Sequence, residues 1–130
     1  MKVLTLSIKQ KYFDEIVAGT KTHECRDVTP LNSKKYIRYV CDGKEYVNDA
    51  DLPQEGEVDV VPVKYDAIKL LTGAYSGKRP YIIVEVIDAA IVILTDENDN
   101  CITYEYEGKE YMMAQMDYTL GKILEKSEGV

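Results

Sequence analysis

A chain of 130 residues with 45% apolar and 30% charged side chains can bury its own core without disulfide or metal staples, and it holds no apolar run near the ~18 residues of a bilayer span. A net charge of −7 argues against a wide basic groove for long nucleic acid, although residues 1–40 carry a local balance of +4 against −11 in the remainder. Three cysteines, Cys25, Cys41 and Cys101, have no paired spacing and read as small, partly buried thiols rather than a disulfide framework. The opening "MKVLTLSIKQKYFDE" lacks a long apolar leader, so a cytoplasmic protein is expected, with no membrane partner. No repeat, low-complexity tract or linker divides the chain, which reads as a single domain, 1–130.

In chain order, "KVLTLSI" alternates and predicts a strand from Lys2 to Ile8, with Ser7 as a cap for a helix after it. Ile8, Tyr12, Phe13, Ile16 and Val17 then recur at helical spacing, and Gly19 sits where a helix stops. After the glycine the period becomes two, so Thr22, Glu24 and Arg26 share one strand face and Lys21, His23 and Cys25 the other. Pro30 and Asn32 mark a loop, and "KKYIRYVCDGKEYV" reads as a hairpin about Asp42-Gly43. "NDADLPQEGE" is turn-rich, and "VDVVPV" is a strand that Pro62 confines to an edge. "KYDAIKLLTGAY" carries a short helical pattern through Ala67, Leu70 and Leu71, ended by Gly73. "RPYIIVEVIDAAIVIL" is a central strand, bent, bulged or split in two by its length. "NCITYEYEGKEYMMAQM" alternates around Gly108-Lys109 as a second hairpin, and "YTLGKILEK" is read as a closing helix. The sum is an α+β chain of about six or seven short strands, a barrel-like sheet with an early helix packed on it.

The stretch Gly19-x-Lys21-x-x-Glu24-x-Arg26 resembles the GxKxxExR motif of ASCH domains. The lead-in "LSIKQKYFDEIVAG" resembles that family's first strand and helix, and "PYIIVEV", with Glu85, its later central strand. The resemblance implies a PUA-like small β-barrel of mostly antiparallel strands, with an N-terminal helix and one or two short helices. It also implies a pocket that binds RNA or a modified nucleoside, with Lys9 and Gln10 at its rim. Some members hydrolyse N4-acetylcytidine. Those enzymes resemble this chain at Lys21 but carry a threonine nucleophile where it has Glu24, and a carboxylate does not replace an activated hydroxyl.

Read without the family, Glu24 and Arg26 two residues apart offer an acceptor beside a planar five-donor fork, a set that can read a nucleobase edge or hold phosphate. They can equally form a surface ion pair worth about 0–1 kcal/mol. Lys21 is out of phase with them and reaches in from the turn. Glu85 lies between Val84 and Val86, where a carboxylate is either paired, a general acid or base, or exposed at an edge. Tyr36, Tyr39 and Tyr46 flank the basic segment and are either stacking platforms or packing residues. His23 and Cys25 lack a second ligand pair, so no metal is expected, and the absence of a P-loop or dinucleotide fingerprint gives no reason to expect a cofactor. The leading expectation is a domain that binds RNA or a nucleoside through Lys21, Glu24 and Arg26, with Lys9 and Gln10 nearby. The alternatives are a small hydrolase, acting on N4-acetylcytidine or cleaving RNA, with Lys21, Glu24 and Glu85 as its catalytic set, and an acidic module that contacts a basic protein.

Overall fold

A computed structural model describes residues 1–73 and 79–130. The protein is mostly β, with few helices. The elements run β1 (Val3–Ser7), α1 (Gln10–Val17), β2 (His23–Val28), α2 (Ser33–Tyr36), β3 (Ile37–Cys41), β4 (Lys44–Tyr46), a 3-10 turn at Asp49–Asp51, β5 (Val58–Pro62), β6 (Ala67–Leu71), β7 (Tyr81–Ile93), β8 (Thr103–Tyr106), β9 (Lys109–Met112) and β10 (Ala114–Lys126). Among the described residues no helix is long and apolar enough to cross a membrane.

The chain divides into two compact units that interleave in sequence. The first holds Met1–Glu24, Lys64–Ala89 and Tyr118–Val130, and the second holds Cys25–Val63 and Ala90–Asp117. The principal sheet has the order β1-β6-β7-β10-β2. In the first unit β1 pairs parallel with β6, Val3 opposite Ala67 through Ser7 opposite Leu71, and β6 pairs antiparallel with β7. The core is continuous apolar surface. Ala67, Ile68, Leu70, Ile82, Val84 and Tyr118 have no accessible area, and Phe13 and Ile16 of α1 are buried with Leu4 and Leu6 of β1. The second unit holds a three-stranded sheet, β4-β3-β5, and the β8-β9 hairpin.

Both hairpins form. Asp42 and Gly43 have φ of 51° and 79° and close Cys41 on Lys44, the double left-handed geometry of a two-residue turn. The second turn falls on Glu107 and Gly108, one residue earlier than the sequence suggests, with Tyr106 opposite Lys109. β5 is an edge strand, as Pro62 requires. β7 is one 13-residue strand.

Two expected helices are strands. Residues 67–71 form β6, whose adjacent Ala67 and Ile68 are both buried, so the strand is covered on both faces, and a short apolar run of that kind also fits a helical spacing. "YTLGKILEK" belongs to β10, where Met116, Tyr118 and Leu120 are buried at period two. Ala74 and Tyr75, at the end of the first of these stretches, lie outside the described residues. The described residues hold ten strands, these two among them, against the six or seven expected. Ser7 is not the cap of α1. The N-cap is Lys9, with no side-chain cap, and Ser7 Oγ instead accepts from Arg79 Nη2 at 3.1 Å. Cys41 is buried, but Cys25 and Cys101 are exposed.

Candidate functional site

The end of α1 sets the position of Lys21. Gly19 adopts φ 80°, its N–H bonds the Ile16 carbonyl at 3.1 Å, and the Thr20 N–H bonds the Glu15 carbonyl at 2.9 Å. This pair of bonds is the Schellman arrangement, which only a left-handed C′ residue completes cheaply. The Lys21 N–H also donates to Glu15 O, at 3.1 Å, so the lysine leaves the helix end in a fixed direction. Its ammonium lies 5.4 Å from the centre of the Tyr12 ring, which Lys11 approaches at 5.8 Å. Tyr12, read from the sequence as part of the apolar stripe, is 41% exposed and carries cations on its ring instead.

β2 then alternates as its sequence predicts. Glu24 is buried, at 6% exposure, Arg26 is half-buried, and His23, Cys25 and Asp27 face solvent. Glu24 is the one buried carboxylate among the described residues, and a carboxylate taken from water costs several kcal/mol unless its surroundings compensate. Arg26 falls in the second unit and Lys21, Glu24 and Glu85 in the first.

At the β1–α1 junction, Lys9 is exposed and its carbonyl accepts from the N–H groups of Tyr12 and Phe13 at 3.1 and 3.0 Å. Gln10 is held at both ends. Its Nε2 donates to Asp14 Oδ1 at 2.8 Å, and its Oε1 accepts from the hydroxyl of buried Thr72 at 3.1 Å. Arg79, which the sequence did not single out, reaches the same region. It donates to Ser7 Oγ and, at 3.4 Å, to the carbonyls of Leu71 and Thr72. Only its place before Pro80 and β7 could have drawn attention to it. Glu85 is half-buried on β7, opposite Ala67, and its carboxylate occupies the space a side chain on Gly121 would fill.

Gln10 lines a hollow of about 320 Å³ with Phe13, Val17 and Pro80. Lys9, Lys21, Glu24, Arg26 and Glu85 line neither this hollow nor a second, more apolar cleft of about 380 Å³ within the second unit. That cleft is walled by β-branched side chains and by Tyr39, Tyr104 and Tyr111. Tyr104 and Tyr111 face each other across the β8–β9 hairpin with ring centres 5.9 Å apart and planes at 26°. Lys109 Nζ lies 2.6 Å from Asp49 Oδ2, and the Tyr111 hydroxyl approaches the same oxygen at 3.4 Å. The Lys109 hydrogen bond holds the Asp49 carboxyl below its ordinary range, and the same bond raises the Lys109 ammonium. Burial raises the Tyr39 hydroxyl, with the Asp49 charge adding to it, and burial likewise raises Tyr104. Tyr36, a candidate stacking residue, is 4% exposed and offers no ring face to a ligand. The alternating tyrosines of the second hairpin were visible in the sequence, but nothing there paired Lys109 with Asp49, 60 positions away.

A family model described as ASCH domain matches residues 6–89, well over half of the chain. No curated protein and no solved structure gives a significant match.

Proposed function

Since the chain belongs to the ASCH domain family, we propose that it binds RNA or a nucleoside through the motif residues Lys21, Glu24 and Arg26, with Lys9 and Gln10 at the rim. Glu24 accepts from a base amino group, Arg26 holds a phosphate or carbonyl, and Lys21 supplies charge from the helix turn. The observation that carries this reading is the burial of Glu24 between two exposed neighbours, directly after a capped helix end. A carboxylate offers about four acceptor sites, so beside any bond it makes within the protein it can take an N–H from a ligand.

Calorimetric titration of the wild type and Glu24→Gln with cytidine, N4-acetylcytidine and a short single-stranded RNA tests it. Glu24→Gln keeps the shape and replaces the charge. It is expected to weaken nucleoside binding by roughly tenfold or more with an unchanged circular dichroism spectrum. Absence of saturable binding of every probe to the wild type would overturn the reading. Chromatography of the N4-acetylcytidine samples reports cytidine release, and turnover that depends on Lys21 and Glu85 would favour the hydrolase alternative.

A further inference from the structure

The cleft of the second unit shares no lining residue with the motif, and its chemistry is of a different kind. Its volume of about 380 Å³ falls within the range of small-molecule sites and is too small for a folded partner. Its lining includes the aliphatic Val58, Val60, Ile91 and Ile93, of which Val58, Val60 and Ile93 are 41%, 43% and 39% exposed. Branched side chains left open to water on a concave surface gain most from a ligand that removes that water. Aromatic side chains line it as well: Tyr39, which pairs with Val60 across the β3–β5 ladder, and Tyr104 and Tyr111 of the β8–β9 hairpin. The Lys109–Asp49 pair also lines the cleft. An ammonium has three donors and a carboxylate about four acceptor sites, so their single 2.6 Å contact leaves donor and acceptor capacity side by side.

We infer that this cleft is a second ligand site, for a planar heteroaromatic small molecule that carries an N–H donor next to an acceptor on one edge. The ring packs on the aliphatic and tyrosine side chains, Asp49 accepts the ligand's N–H, and Lys109 donates to its ring nitrogen or carbonyl. A purely apolar ligand would bury the ion pair without replacing the water it loses, which is unfavourable. An anion would meet Asp49. Tyrosine hydroxyls are neutral donors at pH 7, and burial moves Tyr39 and Tyr104 further from ionisation, which suits an uncharged guest.

The test is a two-dimensional amide NMR titration with adenine, hypoxanthine and cytosine, and with indole, which has the donor but no acceptor. At least one of the three bases is expected to saturate, with shifts centred on β5, β8 and β9, and to bind more tightly than indole. Lys109→Met and Asp49→Asn are each expected to weaken that base by roughly tenfold. Lys109 is 58% exposed along its side chain, so its replacement leaves the fold in place. The inference is overturned if no base saturates, if both variants keep the wild-type Kd, or if shifts are confined to residues 19–26. That last pattern would support the motif reading alone, and cleft shifts without motif shifts would do the reverse.

Discussion

A Cβ placed on Gly121 would overlap Glu85 Oε1 and crowd Ile87 Cγ1 at 3.0 Å. The glycine is needed for space, since it is not among the residues with positive φ. Gly121→Ala is therefore expected to push the Glu85 carboxylate aside. The end of a glutamate is flexible, so the cost should fall at the low end of overpacking, about 1 kcal/mol, read as a lower urea midpoint at unchanged slope. An unchanged midpoint would show that Glu85 relocates without penalty. At this scale the sequence was partly legible. Period two put Glu24 and Arg26 on one face, and β2 follows it, because alternation is a property of the extended backbone itself. That Glu24 would be buried and that Gly121 would shelter Glu85 depend on residues far away in sequence.

Elements written in local chemistry were legible, and elements decided by neighbours were not. The helix end at Gly19 and the Asp42-Gly43 turn follow from glycine's freedom at positive φ. Gly43 gives a clean contrast with Gly121. A Cβ there meets nothing within 4 Å, yet φ is 79°, so the cost of Gly43→Ala is strain alone, about 1 kcal/mol. The unfolding free energy from urea titration should fall by that amount, and Gly43→Asn, which tolerates the left-handed region, should recover much of it. If both variants match the wild type, the hairpin does not depend on this turn. β6 and β10 went the other way. The spacing of Ala67, Leu70 and Leu71 suggests a helix, but ladder partners on both sides of β6 satisfy its backbone as a strand and its side chains are covered twice. In β10 the alternation of Met116, Tyr118 and Leu120 was present, and the expected helix began in the middle of it.

At the scale of the molecule, the two units interleave as three segments and two, so neither has a boundary that composition could mark. That is why the sequence shows no linker. The pairing of titrating groups is likewise a property of the whole. The Asp49 carboxyl is lowered on folding, so its contribution is present above its unfolded value and is lost as pH falls below about 4. Lys109, Tyr39 and Tyr104 are raised, so their contributions are present below their unfolded values and are lost as pH rises beyond about 10. Urea midpoints taken from pH 3 to 11 should form a plateau between those limits, with the alkaline fall accompanied by tyrosinate absorbance. A midpoint that holds to pH 11 would contradict the tyrosine part, and Lys109→Met should lessen the acid loss. The parallel seam between β1 and β6 carries a kinetic consequence. Its first bonds join Lys2 to Asp66, 64 positions away, and no hairpin can nucleate a parallel pair. The chain must close a wide loop before that ladder repays any of the entropy, so assembly of the first sheet is tied to a rare long-range encounter while the local hairpins can form and dissolve many times.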